Sequence, residues 1–377
     1  MRDWRELTLG DLATWTSGKL LPATDRTPSG AYPLHGANGV IGRTNRILFR
    51  DPVVTVGRVG AIGEVHVTSG PAWVSDNALV AQPRPLVLTA FLALLLEAFD
   101  FQKIRGGTTQ PLITQRALSR QVVMLAPLTE QRRIIDLIET VDGAIDAAVR
   151  VVDRAETSYA ALLRDKFDAA VARGCRPLGT LATTRLGKML DEKTAGNRQR
   201  FAYLRNADVQ WDALRTCDLR SVPLTASEQQ ELSLAVGDVL ICEGGEIGRA
   251  AVVMDELPGV YYQKAIHRVR CGPHLRPRFL MHFMRFAAMT EYLNDFTTST
   301  TIAHLTGEKL RLLPVPTVTL AAQEQAIQLL DAASGLARAG RALIDGAGSL
   351  RAALLADLLS GDHEIPASYD RFLDGAA

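Results

Sequence analysis

The chain has 377 residues, 47% of them hydrophobic, and a net charge of +1, which suits two or three folded domains and excludes a disordered chain. Its longest apolar run, Leu86 to Phe99, is too short and too interrupted for a membrane span, and Met1-Arg2-Asp3-Trp4 opens no signal peptide. The four cysteines, Cys175, Cys217, Cys242 and Cys271, form no CxxC pair, so neither a disulfide framework nor a zinc site is indicated and a reduced, cytoplasmic setting is expected.

In chain order, residues 1–128 read as a mixed α/β module. Val53-Val54-Thr55-Val56 and Val65-His66-Val67 predict strands around a glycine-rich loop from Gly57 to Gly63. Phe91 to Phe101 predicts a helix, and Gln121 to Pro127 a closing strand. Residues 129–177 predict a long central helix, opened by Thr129-Glu130-Gln131 just after Pro127. A second module, 178–320, copies the first: strands at Val236 to Ile241 and Ala250 to Met254 flank Gly244, Gly245 and Gly248. A helix follows at Arg278 to Asn294, and a strand at Leu310 to Pro316. Residues 321–362 predict a second long helix, and 363–377 a tail.

The copying is visible residue by residue. Leu9-Gly10-Asp11-Leu12-Ala13 returns as Leu178-Gly179-Thr180-Leu181-Ala182, an offset of 169, and Gly18-Lys19 as Gly187-Lys188. Gly60-Ala61-Ile62-Gly63 returns as Gly245-Glu246-Ile247-Gly248 at offset 185. Thr108-Thr109 returns as Thr300-Thr301 at offset 192, and Thr129-Glu130-Gln131 as Gln323-Glu324-Gln325 at offset 194. Matches in one order with a slowly growing offset imply a duplicated unit of module plus helix. A duplicated chain presents one kind of surface twice, which suits a bipartite target such as DNA.

The central helix carries a heptad seam: Ile134, Ile138, Val141, Ile145, Ala148, Val152, Ala155, Tyr159 and Leu162. At 1.5 Å per residue it would be roughly 60 Å long, and such a helix needs a partner. Leu329, Ala333, Leu336, Gly340, Leu343, Ala347, Leu350 and Leu354 repeat at similar spacing in the second long helix, with small residues that permit close approach. The expected arrangement is an antiparallel coiled coil; the alternative is two amphipathic helices, each folded onto its own module.

Charge follows the same division. Residues 1–128 carry net +4, 129–177 net −1, 178–320 net +2 and 321–377 net −4. Catalytic motifs are missing. There is no Gly-x4-Gly-Lys-Ser/Thr loop and no Asn/Asp-Pro-Pro-aromatic tetrapeptide. Asp191-Glu192-Lys193 lacks the upstream Pro-Asp of a nuclease, and the seven histidines show no metal-ligand spacing. What remains is polar side chains in loop contexts. In the first module these are Lys19, Asn38, Arg43, Asn45, Arg46, Arg58, Arg105, Thr108, Thr109 and Gln110. In the second they are Lys188, Arg198, Arg200, Arg205, Asn206, Arg249, Lys264, Arg268, Thr297, Thr298 and Thr300. Arg and Lys read guanine edges, Asn and Gln read adenine, and Thr meets phosphate or a thymine methyl. The glycine-rich loops read either as tight turns or as places of close backbone approach to phosphate.

On these residues the chain resembles the specificity subunit of type I restriction-modification systems. The resemblance covers nearly the whole length. It is carried by Leu9-Gly10-Asp11-Leu12, by Gly60-Ala61-Ile62-Gly63, by Ala126 to Ile134 (APLTEQRRI) and by Leu354 to Gly361 (LLADLLSG). The second copy departs, because seven residues rather than two separate Pro316 from Glu324. The resemblance implies two mixed α/β target-recognition domains, joined and separated by two long antiparallel coiled-coil helices in a pseudo-two-fold repeat. It also implies that each domain reads half of a split double-stranded DNA site. Two methyltransferase subunits would dock on the helices and carry the S-adenosylmethionine, and translocase-nuclease subunits, with ATP and Mg, would join for restriction; this chain would hold no cofactor or metal and perform no catalysis. Rival readings are a specificity module of another phage-defence assembly and a left-handed β-helix acyltransferase, whose six-residue repeat here dies after two or three turns.

Overall fold

The computed structural model describes residues 3–104, 106, 112–189, 199–297 and 304–373. Two units emerge, one of Met1–Val149 with Ala342–Ala377 and the other of Arg150–Arg341. In the first, an antiparallel four-stranded sheet runs in the order Ala13–Ser17, Ala78–Pro83, Val54–Gly57, Val65–Val67. A three-stranded sheet places Tyr32–Gly36 between Gly39–Thr44 and Trp73–Val74, and Arg5–Thr8 pairs with Val122–Leu125. Val54, Val56, Leu79 and Ala81 alternate onto one face and pack on Phe91, Leu92 and Leu96 of the helix Thr89–Glu97. Val53, Val74, Ala78 and Val80 are buried on the other face, so the centre of the sheet is covered on both sides.

The second unit repeats this plan. Its four strands run Ala182–Leu186, Ile266–Cys271, Val239–Cys242, Ala250–Val252; its three-stranded sheet runs Arg220–Pro223, Arg200–Leu204, Val260–Tyr262; and Cys175–Pro177 pairs with Pro314–Pro316. The helix Pro277–Met289 takes the place of Thr89–Glu97. Its Phe279, Phe283 and Phe286 ring Phe167 of the first long helix at 5.0–5.6 Å between centroids. The hairpin Val209–Gln210/Ala213–Leu214 and the helix Ala226–Glu231 have no counterpart among the described residues of the first unit.

Several expectations shift. The strand expected from Val236 starts at Val239, because Asp238 accepts the Ala235 N–H at 2.9 Å and closes a side-chain turn before it. Leu310 to Leu312, expected as strand, are helical within Gly307–Leu312, which Thr306 caps by accepting the Lys309 N–H; only Pro314–Pro316 is extended. The helices expected at Phe91 to Phe101 and Arg278 to Asn294 are shorter than the apolar runs suggest.

The long helices are Leu128–Arg173 and Leu320–Ser360. Both start at offset 192, not at the offset of 194 that the Glu-Gln match suggests. Gln131 and Gln323 are the equivalent residues, and both are buried. Gln131 Oε1 accepts the Leu88 N–H at 2.9 Å while Nε2 donates to Leu86 O and Ala126 O at 3.1 and 2.8 Å. Gln323 Oε1 accepts the Arg276 N–H at 2.8 Å while Nε2 donates to His274 O and Val318 O at 2.9 and 3.1 Å. Each amide thereby ties the start of a long helix to the chain just before its module's helix.

Within each unit the helices pair antiparallel. In the first, Glu130 accepts the Ile365 N–H and Asp142 holds Arg351; in the second, Gly174 meets Thr317 and Val152 meets Gly340. Ile134 and Ile138 pack with Leu355 and Leu358. Val152 and Ala155 are buried, Val141, Ile145, Tyr159 and Leu162 are half-buried, and Leu163 and Phe167 take over near the end. The second helix corrects the expected seam. Leu336, Leu343 and Leu350 are 53%, 63% and 64% exposed, Leu329 is 44% exposed, and Leu354 is half-buried. The inward face keeps Gly340 of the expected seam but is otherwise displaced to the neighbouring positions Leu330, Ala337 and Ile344. Small side chains win because the backbones approach closely: a Cβ on Gly340 would stand 2.4 Å from Val152 Cγ2. The expected tail also packs, with Ile365 buried and Arg133 forking onto Asp370 at 2.6 and 2.7 Å.

Replacing Gln131 or Gln323 by Ala is expected to cost about 2 kcal/mol, since three backbone groups lose the side-chain partner they share; urea unfolding of each variant checks it. Leu330→Ala should cost about 2–4 kcal/mol, while Leu336→Ala should stay within roughly 0.5 kcal/mol, read from the same titrations.

Candidate nucleic-acid interface

The two glycine-rich loops are the same turn built twice. Gly57 N–H donates to Glu64 O at 2.9 Å and Gly63 N–H to Gly57 O at 2.9 Å; Cys242 N–H donates to Arg249 O at 2.8 Å and Gly248 N–H to Cys242 O at 3.0 Å. Gly60 and Gly245 sit at φ +76 and +75°, a left-handed conformation that a side chain resists. The tight-turn reading therefore accounts for the glycines. Space beyond Gly60 is open, so the turn also leaves its backbone accessible.

Between turn and strand stand Arg58 and Glu243. Arg58 reaches Ser17 Oγ at 3.5 Å, and Gln115 Nε2 donates to the same oxygen at 2.9 Å. The Arg58 Nε is buried without a hydrogen-bond partner. Near the turn of the other unit, Asn206 Nδ2 donates to Gly244 O and Arg249 Nη2 donates to Asn206 O, at 2.8 and 2.7 Å. Sequence reasoning named Arg58, Asn206 and Arg249 but missed Ser17, Gln115 and Glu243. The repeat offset of 185 carried to neighbouring residues would have found Glu243 opposite Arg58.

The other expected residues divide into committed and free. Arg43 donates to Gly30 O and Ala31 O at 2.6 and 2.8 Å, and Asn45 accepts the Ala31 N–H. Arg46 pairs with Asp25 at 2.6 Å and lies over the Trp73 ring. Lys188 pairs with Glu228, Arg200 holds Ser221, and Arg268 donates to Glu231 O and Ser233 O. Thr297 O accepts from Lys309. Arg205 forks onto Asp208 at 2.7 Å through both Nε and Nη2. That fork, joined by the Arg205 backbone N–H, outweighs burial and holds the Asp208 carboxyl below the usual carboxylate range. Lys19, Asn38 and Lys264 are exposed. Arg105, Thr108, Thr109, Gln110, Arg198, Thr298 and Thr300 lie outside the described residues.

His35 is pushed below the usual histidine value, first by burial and then by the nearby His66. Among the described residues, no group of three His, Cys, Asp or Glu is placed to hold a metal ion. No helix among them is long and apolar enough to cross a membrane.

A family model described as the type I restriction modification DNA specificity domain matches residues 1–150 and 176–337. The fold is similar to the crystal structure of a type I restriction-modification S subunit from M. genitalium, at 15% identity, a TM-score of 0.64 and coverage of 95% of this chain and 96% of that one. It is also similar, at 17% identity, a TM-score of 0.56 and coverage of 96% and 98%, to a structure titled for complex assembly and conformational transition of the type I R-M system. No relative among curated proteins matches the chain.

The Arg205–Asp208 pair gives a signed pH dependence. A carboxylate held low in the folded state contributes stability that is complete above its unfolded value, about 3.9, and fades as pH falls through the folded value. Asp208→Asn should therefore be less stable than the native chain at pH 7, with the gap closing below about pH 4. Denaturant midpoints at the two pH values check this.

Proposed function

Because the chain belongs to the type I restriction modification DNA specificity family, we propose that it is the subunit through which a methyltransferase complex reads a DNA site in two halves. Residues 1–128 and 178–320 are the two readers, 129–177 and 321–362 the helices, and 363–377 the closing segment. Two methyltransferase subunits dock on the helices and bring S-adenosylmethionine; translocase-nuclease subunits, with ATP and Mg, join for restriction. The chain itself carries out no chemistry and works in the cytoplasm.

One observation carries this reading: two sheet modules of the same topology, each clamped to a long helix by an equivalent buried glutamine. A fold built twice around the same clamp supplies two readers, and the turns differ in the side chains they present. Lys19, Asn38, Arg58, Asn206 and Lys264 are the candidates nearest to solvent or least committed within the fold. The exposed leucines support docking. Leu329 and Leu336 in one unit, and Leu343 and Leu350 in the other, leave each unit an apolar strip on its helix. One strip per unit matches one methyltransferase per unit.

The test is reconstitution with the methyltransferase encoded beside this chain. Only the mixture should transfer methyl groups to adenines in plasmid DNA; either protein alone should transfer none. Binding of the mixture to DNA should weaken steeply with salt, by about 0.9 log units per released phosphate contact per log unit of salt. Leu336→Lys with Leu343→Lys should cost at least roughly tenfold in assembly, as one or two buried leucines contribute on the order of 1.5–3 kcal/mol each. Methyl transfer by the chain alone, or assembly untouched by both lysines, would contradict the reading.

A further inference from the structure

One position in each module is held by the same backbone hydrogen bonds and carries opposite charge. Arg58 directly follows the strand Val54–Gly57, and Glu243 directly follows Val239–Cys242. Arg58 N–H donates to Asn77 O at 3.0 Å, and Arg58 O accepts the Ile113 N–H at 3.2 Å. Glu243 N–H donates to Ala265 O at 2.8 Å, and Glu243 O accepts the Leu305 N–H at 2.8 Å. These partners correspond. Asn77 and Ala265 each stand just before the strand that pairs alongside, Ala78–Pro83 or Ile266–Cys271. Ile113 and Leu305 each stand just before the capping threonine of a short helix, Thr114 or Thr306. Two residues further on, each chain turns through a left-handed glycine, Gly60 or Gly245. With both backbone groups fixed, the two side chains leave equivalent points of the two folds in the same direction.

Both side chains are half-buried, and neither has an ion-pair partner among the described residues. A charge partly removed from water and left without a counter-ion is unfavourable unless a ligand completes it. Among the described residues, the groups around the Arg58 side chain are the neutral Ser17 Oγ and Gln115 amide, and Nε has no partner there. A position devoted to phosphate in one module would reject a carboxylate in the other. A position that faces base edges accepts either, because bases offer donors and acceptors.

We infer that Arg58 and Glu243 are paired specificity positions, Arg58 reading guanine and Glu243 reading cytosine, one in each half of the site. This rests on the DNA-reading function proposed above. The guanidinium fork matches the two acceptors of guanine, O6 and N7. A carboxylate can approach a polyanion only where a base projects an amino group. Cytosine N4 does so alone, whereas adenine N6 stands beside the N7 acceptor, which repels the acid.

Methylated adenines are mapped in cells that lack other adenine methylation and express the full chain with its methyltransferase. Arg58→Ala should relax one G·C pair in one half-site, lowering discrimination there by roughly 5- to 150-fold, and leave the other half intact. Glu243→Gln should relax or change a C·G pair in the opposite half only. Arg58→Lys keeps the cation and should keep a weakened guanine preference. Both half-sites unchanged in either variant, or the same half relaxed by both, would overturn the inference. So would loss of all methylation by Arg58→Ala together with Arg58→Lys, or by Glu243→Gln, since that would place the residue in folding. A native complex that methylates no two-part site fails the functional reading itself; a two-part site indifferent to these variants fails this inference alone.

Discussion

A single buried amide in each unit joins a sheet module to its long helix, and much else depends on it. A glutamine can satisfy a backbone N–H and two carbonyls at once, because its amide carries both an acceptor and two donors. Gln131 and Gln323 do this where the chain turns from sheet edge to helix. No apolar residue could fill the place without stranding those groups, and a glutamate would lose both donors. The clamp fixes where each helix begins, and so which of its faces meets the module.

Beyond the clamp the units are secured by different means. In the second, Arg278 bridges Asp212 and Asp331, and His282 lies between Tyr159 and Asp331 at 2.8 and 2.7 Å. Burial raises the Asp331 carboxyl, but the hydrogen bonds from His282 and Arg278 outweigh it and hold the group low. In the first unit, buried Arg133 gathers Glu130 and Asp370, Tyr369 donates to Asp136, and Arg351 spans Asp142 and Glu97. The framework of strands and clamp is shared, while the polar contacts that tighten it are private to each copy. A duplicated module can therefore diverge at the surface without losing its fold.

Much of this was legible in the sequence. The offsets of Gly60 against Gly245 and Leu9 against Leu178 announced the duplication, because tight turns and core leucines tolerate few substitutes. The inward seam of the first helix was legible at Ile134 and Ile138, where large apolar residues face in. On the second helix the same logic failed. Hydrophobicity favoured the leucines of the stripe, Leu336 and Leu343, but close packing turned inward its small member Gly340 and the neighbouring Ala337, and size decided over apolarity. The glutamine register was hidden by Glu324-Gln325, which imitates Glu130-Gln131 two residues away from the equivalent position. The candidate interface was the least legible part, since an arginine in a sequence does not reveal whether it meets only a hydroxyl, like Arg58, or is bound to an aspartate, like Arg205.

The central claim is that each module is a self-sufficient reader on a common framework. Exchange of one module for a copy of the other tests it most directly. Residues 13–125 would be replaced by residues 182–317, which keeps both clamps and both helices. Mapping of methylated adenines should then show the second half-site in both halves of the recognised sequence and no trace of the first. Persistence of the original first half-site in that chimera would contradict the account.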